Sequence, residues 1–298
     1  IPSIPTAESQ SLATYCSITK QPFAPYLAHA VLEPLGMSRS SFEPPAASSA
    51  VADRPAAGFM WTTEGRRFDA PTFQLGIQPA GSLYTTVNDL ARFMSALFRI
   101  ERGSESGILS KASLLRMWQP QFSTPESPSA FGIGFQLSKL DGHNSVGHGG
   151  AIYGFSTQLQ ALPDDSLGVV VVSTLDITNT VTSRVAEEAL LLMLAERAGV
   201  PLPALATTEP VPQARILSVL GHYGAGEKAI DLVERDSALV LRDAGGLMTS
   251  IRLLRDTLVV DDRRAFGARI LPTPDGIVFG RDTLRRTAVT KPAAASPS

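Results

Sequence analysis

Residues 131–173 carry the sequence FGIGFQLSKLDGHNSVGHGGAIYGFSTQLQALPDDSLGVVVVS, and the spacing of their apolar residues is typical of an antiparallel sheet. Apolar side chains recur at every second position over residues 131–137, and Asp141–Gly142 then forms a two-residue hairpin turn. Further along, residues 167–172 are apolar at nearly every position. This run predicts a strand that is buried on both faces.

Helical periodicity flanks the sheet on both sides, which predicts an α+β domain. The predicted helices cover residues 25–36, 86–99, 110–118 and 180–197. Thr86 and Asp89 are spaced as a capping-box-like pair at the start of the second helix. The last helix has an apolar stripe formed by Val181, Val185, Ala189, Leu192 and Met193, and Gly199 stops it.

A proline-rich segment predicts a boundary between two domains. Residues 201–212 contain four prolines, a composition that gives a semi-extended linker. The predicted domains are residues 1–204 and residues 205–298. Short strands separated by turns follow the linker and predict a small antiparallel β-barrel. The predicted strands are residues 229–233, 239–241, 248–254, 258–260, 269–271 and 277–279.

The composition excludes several classes of protein. The chain has 298 residues and a net charge of −2, so no overall positive field would attract nucleic acid. No apolar run is long enough to span a membrane, and residues 1–10 show no signal-peptide pattern. The single cysteine and four histidines lack the spacing of metal ligands, so we expect neither a metal nor another cofactor.

One histidine among glycines is the strongest candidate for chemistry. Residues 147–151 read Gly-His-Gly-Gly-Ala within a predicted strand, where glycine is unfavourable unless a backbone or a ligand approaches closely. In one interpretation an acyl group docks along this edge, the Ala151 N–H donates to an oxyanion, and His148 supplies a second donor or a charge. In the other, the glycines mark a β-bulge and His148 has no chemical role.

Three segments resemble one family of enzymes. Pro34-Leu35-Gly36-Met37, then PAGSLYTT at residues 79–86 leading into DLARF at residues 89–93, then GHGG at residues 147–150 occur in this order. The same order is found in the serine beta-lactamase-like hydrolases, which include class C beta-lactamases, esterases, DD-peptidases and D-aminopeptidases. The resemblance covers about residues 22–198 and implies a beta-lactamase/transpeptidase-like fold.

The resemblance also implies a mechanism. In this family a Ser-x-x-Lys motif supplies the nucleophile and its base, and a Lys-Thr-Gly or His-x-Gly box lines an edge strand. His148, Gly149 and Gly150 look like that box, with Ala151 as an oxyanion donor and Tyr153 beside it. A histidine in place of the box lysine is similar to esterase and peptidase members and favours a small ester, amide or peptide substrate over efficient beta-lactam hydrolysis.

The nucleophile is the point at which the sequence departs from the family. The only Ser-x-x-Lys string is Ser17-Ile18-Thr19-Lys20. In one registration Ser17 is the nucleophile and Lys20, one helical turn later, lies on the same face and accepts its proton. In the other, residues 19–26 align with the segment before Pro-Leu-Gly-Met, and Ser17 only ends a preceding helix.

The second registration implies a domain that is incomplete at its N-terminus, because the family has further strands and helices before this point. Such a domain would expose the edge of the strand at residues 169–173, so we expect the chain alone to form a homo-oligomer. Two functions therefore remain open. The chain is either an active serine hydrolase or a catalytically incomplete relative that acts as a binding module.

The predicted barrel resembles a second type of domain. Tyr223-Gly224, the strand at residues 239–241 and the segments Phe279-Gly280 and Leu284-Arg285-Arg286 look like the lipocalin-like barrel appended to some peptidases and esterases of this family. In those relatives the barrel can shape the entrance to the active site.

Overall fold

The structure of the protein is a computed structural model that describes residues 20–43, 54–62, 65–71, 78–104, 107–121, 129–205 and 207–287. The chain divides between Pro203 and Ala204 into two compact units. The first unit is built on a β-sheet with helices, and the second is a β-barrel. No helix among the described residues has the length and the apolar character that crossing a membrane requires.

A five-stranded antiparallel sheet with the order β3-β4-β5-β6-β7 forms the centre of the first unit. A separate two-stranded sheet pairs β1 with β2. The strands are β1 (Phe59–Trp61), β2 (Arg67–Asp69), β3 (Ala130–Phe131), β4 (Gln136–Leu140), β5 (His143–Ile152), β6 (Phe155–Leu162) and β7 (Leu167–Ser173). The strand order follows the order of the chain because each connection is short.

Two tight hairpins set the register of this sheet. Leu140 pairs with His143 around Asp141–Gly142, which confirms the predicted turn. Both turn residues have positive φ, as a two-residue hairpin requires. The prediction of one continuous strand over residues 131–137 is wrong. Its middle leaves the sheet because the Ile133 N–H bonds to the Met117 carbonyl of a neighbouring helix.

Helices surround the sheet, and their observed bounds differ from the predicted ones mainly at the ends. They are α1 (Phe23–Leu27), which continues as a π-helical turn over Ala28–Leu32, then α2 (Gln78–Gly81), α3 (Val87–Glu101), α4 (Lys111–Met117) and α5 (Asn179–Ala198). Ser110 caps α4 as predicted, since its side chain accepts a hydrogen bond from the Ser113 N–H. Gly199 ends α5 in the left-handed conformation.

The main core of the first unit lies on one face of the sheet. It is formed by residues of α3, α4 and three strands or their flanks, namely Met94, Leu97, Phe98, Ile100, Leu114, Phe135, Val146 and Ala161. A Cβ at Gly168 would overlap the present position of the Met94 side chain of α3. Helix α3 therefore approaches β7 closely, as small residues in a packed interface allow.

Two predictions about burial are wrong. The inward face of α5 carries Thr182, Ala186, Leu190 and Ala195, whereas the predicted stripe is partly exposed, with Val181 at 42% and Val185 at 49%. Strand β7 is only partly buried, and Val172 is exposed. The apolar residues of α5 extend around most of its circumference, so their spacing alone does not identify the face that packs.

The second unit is a closed eight-stranded antiparallel barrel, which confirms the predicted architecture. Its elements are α6 (Gln213–Val219), β8 (Gly221–Tyr223), β9 (Ile230–Arg235), β10 (Ala238–Asp243), β11 (Met248–Leu254), β12 (Thr257–Asp262), β13 (Ala265–Thr273), β14 (Gly276–Phe279) and β15 (Asp282–Thr287). The pairing of β15 with β8 closes it. Large apolar side chains fill its interior, among them Leu232, Leu239, Leu258, Ile270 and Ile277.

Candidate functional site

The glycine-rich part of β5 is a regular strand. Its register with β6 is continuous from Val146 to Ile152, so the interpretation of these glycines as a β-bulge is wrong. The glycines are needed for close packing between strands. A Cβ at Gly147 would overlap the Leu159 carbonyl, and a Cβ at Gly150 would overlap the Thr157 hydroxyl. Gly147 therefore allows the two backbones to lie close together, and Gly150 leaves room for the Thr157 hydroxyl.

The register also fixes which backbone groups of β5 face the open edge. Ile152 and Phe155 flank a two-residue turn and so form a hydrogen-bonded pair. Because hydrogen-bonded and non-hydrogen-bonded pairs alternate along an antiparallel ladder, Gly150 bonds to β6, whereas Gly149 and Ala151 direct their N–H and C=O groups away from β6. On that side β4 reaches only as far as Gly147.

His148 directly precedes these edge positions, and its side chain is exposed. Its Nδ1 donates a hydrogen bond of 2.6 Å to the Gly149 carbonyl. Since a carbonyl only accepts, this bond places the hydrogen of a neutral imidazole on Nδ1 and leaves Nε2 with a lone pair. Neutral His148 therefore offers an acceptor through Nε2, and it becomes a donor at that atom only when it is protonated.

Residues 148–152 of β5, together with residues of β6 and β7, form one wall of a large cleft, of about 1340 Å³ as the described residues enclose it. The opposite walls come from segments that lie far apart in the sequence. These segments are residues 38–43, 54–58, 69–71 and 80–86. Tyr153, at the turn after β5, also lines the cleft and is 48% exposed. The predicted site residues His148, Gly149, Gly150, Ala151 and Tyr153 are thus together on one wall.

A buried carboxylate holds two segments of the opposite wall together. The Asp89 side chain is fully buried, and its Oδ2 accepts hydrogen bonds from the Arg39 N–H at 2.9 Å and the Ser40 hydroxyl at 2.8 Å. Its Oδ1 pairs with Arg92 at 2.5 Å. The Thr86 side chain caps the helix by accepting from the Asp89 N–H, as predicted. The Asp89 carboxylate does not accept a hydrogen bond from the Thr86 N–H, as a full capping box would require, because these other donors occupy it.

The amino-terminal end of α5, which follows β7 in the chain, contacts β5. Asn179 Nδ2 donates a hydrogen bond of 2.8 Å to the Gly150 carbonyl. The preceding residue is held as well, since the Thr178 N–H donates to the Ser156 hydroxyl at 2.9 Å. No pattern in the sequence predicted a role for these residues. Their position just before the predicted helix at residues 180–197 was the only available signal.

The predicted catalytic pair is not brought together by the described part of the chain. Ser17 lies outside the described residues. Lys20 is exposed, has a φ of 58° and precedes α1, so it is not in a helical turn. Lys20 therefore lacks the helical conformation that its predicted spacing from Ser17 requires. Lys20 is also not among the described residues that line the cleft.

No group of three or more His, Cys, Asp or Glu side chains in the described ranges is arranged to hold a metal ion.

A comparison with known proteins identifies the family to which this chain belongs. The sequence model described as Beta-lactamase matches residues 16–193, which include the cleft walls and all of β3–β7. This chain belongs to the Beta-lactamase family. The three segments that carried the resemblance lie within the matched range, and two of them face each other across the cleft of this Beta-lactamase family member.

One solved structure shows the same fold at low sequence identity, and a second has a lower structural similarity. The octameric penicillin-binding protein homologue from Pyrococcus abyssi is 21% identical with a TM-score of 0.56, over 95% of this chain and 64% of that chain. The D-stereospecific amidohydrolase from Streptomyces sp. is 21% identical with a TM-score of 0.49, over 67% of this chain and 56% of that chain. The chain spans less than two thirds of either relative. No curated protein matches it significantly.

Proposed function

We propose that this Beta-lactamase family member is a serine hydrolase that cleaves an ester or amide through an acyl-enzyme, as an esterase or peptidase. The observation that carries the proposal is the open edge of β5. There, Gly149 and Ala151 direct backbone groups away from the β5–β6 ladder and beside His148, in a cleft of about 1340 Å³. A fixed backbone N–H at such an edge stabilises negative charge that develops on an acyl oxygen.

In the proposed reaction, a serine oxygen attacks the acyl carbon and its proton passes to a base. The tetrahedral oxyanion accepts a hydrogen bond from the Ala151 N–H and another from the N–H of the nucleophile. The bond to the leaving group then breaks, and the leaving group takes up the proton. Water attacks the resulting ester in the second half of the cycle. Ser17 as nucleophile and Lys20 as its base remain predictions.

His148 supports the assignment to ester or amide substrates over beta-lactams. With its Nδ1 hydrogen bonded to the Gly149 carbonyl, the neutral form of His148 has an acceptor at Nε2 and no second N–H donor. The lysine found at this place in other members carries a permanent positive charge, which suits an anionic group on the substrate. We therefore propose that uncharged esters or amides are better substrates here than anionic beta-lactams.

The test is labelling with a fluorophosphonate, which reacts with an activated serine whatever the natural substrate. Intact mass and peptide mapping should show one adduct, at Ser17. Ser17→Ala should abolish this adduct, whereas Ser11→Ala, a matched change in the same segment, should retain it. An adduct at another serine would move the nucleophile but retain the serine hydrolase. Absence of any adduct on folded protein would contradict the enzyme and favour a binding module.

A further inference from the structure

Asn179 contacts the peptide unit that carries the proposed oxyanion donor. Its Nδ2 donates 2.8 Å to the Gly150 carbonyl. That carbonyl belongs to the same planar amide as the Ala151 N–H, which points in the opposite direction because the peptide is trans. A group that fixes the carbonyl therefore also fixes the direction of the N–H.

We propose that Asn179 is a positioning residue for acyl transfer, which holds the Gly150–Ala151 peptide so that the Ala151 N–H is aimed into the cleft. This inference rests on the proposed function for its catalytic consequence, although the contact itself does not. The Gly150 carbonyl has two lone pairs. One faces β6 according to the alternation of the ladder, and Asn179 occupies the other.

The hydrogen bond acts on the donor in two ways. It resists rotation of the peptide plane, which would turn the N–H away from the acyl oxygen. It also withdraws electron density from the carbonyl, and such polarisation along an amide strengthens the N–H at its other end as a donor. Both effects require a side chain that donates. A carboxylate at the same position would place an acceptor against an acceptor.

Buried hydroxyl groups hold Asn179 itself in place. Ser156, which is fully buried and pairs with Ala151 across the sheet, accepts from the Thr178 N–H and donates to the Leu175 carbonyl at 3.1 Å. The Thr178 hydroxyl lies 3.0 Å from the Ser173 hydroxyl of β7. The start of α5 is thus tied to β6 and β7, so Asn179 approaches β5 from a rigid support.

A spectroscopic test reads the contact without any activity. Protein with ¹³C in glycine carbonyls and ¹⁵N in alanine gives an HNCO signal only for Gly–Ala steps, which in this sequence are Gly150–Ala151, Gly224–Ala225 and Gly267–Ala268. Asn179→Ala should move the first signal and leave the two barrel signals unchanged. Asn179→Asp should do the same. It also keeps a residue favourable at a helix start, so folding is retained while the donor is lost.

The kinetic test uses hydrolysis of p-nitrophenyl acetate, an uncharged ester. Both Asn179 variants should lower kcat about tenfold, with KM changed less than about twofold, because the contact acts on the oxyanion more than on the bound ester. Asn144→Ala is the matched control. Asn144 is also on β5, but it lies at the far end from the cleft. Its side chain is exposed, and its Nδ2 donates a hydrogen bond to Asp164.

The outcomes separate this inference from the proposed function. An unmoved Gly150–Ala151 signal, or a moved signal with unchanged kcat in an active protein, would overturn the positioning role of Asn179. A wild-type protein that neither hydrolyses the ester nor takes up the fluorophosphonate would overturn the proposed function. In that event the HNCO signal still decides whether Asn179 holds the peptide.

Discussion

The Ala151 N–H can be removed by one substitution because it faces away from the β5–β6 ladder. Ala151→Pro deletes this N–H, and proline is tolerated at an edge where the missing N–H would have faced solvent. We expect hydrolysis to fall about 100- to 1000-fold, the usual effect of losing an oxyanion donor. The unfolding temperature should change little, as tryptophan fluorescence would show.

The neighbouring position supplies the control. Ile152 forms a hydrogen-bonded pair with Phe155, so Ile152→Pro removes a ladder bond and should lower the stability of the sheet. If Ala151→Pro were as destabilising as Ile152→Pro, the assignment of edge-facing groups on β5 would be incorrect.

Asp89 is expected to be the most sensitive polar residue of the cleft walls. Asp89→Ala leaves the Arg39 N–H, the Ser40 hydroxyl and Arg92 without their acceptor, which should lower the free energy of unfolding by about 2–4 kcal/mol. Urea unfolding followed by tryptophan fluorescence measures this loss. Asp164→Ala, at an exposed position, should cost under about 0.5 kcal/mol. Equal losses in the two variants would contradict the role of Asp89.

Sequence reasoning could predict only part of what Asp89 does. The spacing of Thr86 and Asp89 is local, so the helix cap was predictable and is confirmed. The partners of the carboxylate lie some fifty residues earlier in the chain, at Arg39 and Ser40. No short pattern encodes such a contact, because folding alone brings those segments together.

At the scale of elements, the two faces of α5 offer a direct test of packing. Ala186 is fully buried against the sheet, whereas the adjacent Val185 is 49% exposed. Ala186→Leu should therefore lower the free energy of unfolding by about 1–3 kcal/mol through overpacking. Val185→Leu should change it by less than about 0.5 kcal/mol. Urea unfolding measures both losses. A larger loss for Val185→Leu than for Ala186→Leu would show that the stripe predicted from the sequence is the packed face of α5.

Elements were predictable where local chemistry decides them. The Asp141–Gly142 hairpin and the Ser110 cap depend on neighbouring residues and are confirmed. The break between β3 and β4 depends on a bond from Ile133 to Met117, and the inward face of α5 depends on the sheet beneath it. These features arise from packing between distant elements, which periodicity does not record.

At the scale of the molecule, β7 is the edge strand of the five-stranded sheet. Among the described residues it pairs with β6, and beyond its end Leu175 bridges to Phe59. No charged side chain interrupts Leu167–Ser173, and such strands tend to pair with other chains. We expect the 298-residue chain to self-associate in light scattering, and Val172→Lys to reduce the association. A wild-type monomer at micromolar concentration would contradict this expectation.

The barrel should lose stability in acid. Burial alone would raise the pKa of Asp231, but hydrogen bonds from His222 and Arg242 outweigh it and hold the pKa below the usual 3.8. A pKa that is lower in the folded state contributes stability above the unfolded-state value, and this is lost as the pH falls through the folded value. The barrel should therefore unfold more readily below about pH 4.

Circular dichroism can follow this loss, whereas tryptophan fluorescence cannot. Both tryptophans, Trp61 and Trp118, lie before residue 204, so their fluorescence does not report on the barrel. Asp231→Asn should flatten the acid dependence of the thermal transition seen by circular dichroism. Asp236→Asn, at a side chain that is 94% exposed, should leave it unchanged. An unaltered pH profile for Asp231→Asn would contradict the stabilising role of this carboxylate.

The pairing of β15 with β8 determines when the barrel can close during synthesis. Arg286 pairs with Tyr223 and Thr287 with His222, so the strand that closes the barrel is also the last of its eight strands to be translated. While the ribosome still covers β15, both β8 and β14 lack a partner on one side. The barrel can therefore close only after Thr287 has emerged, and until then its apolar interior is open to chaperones.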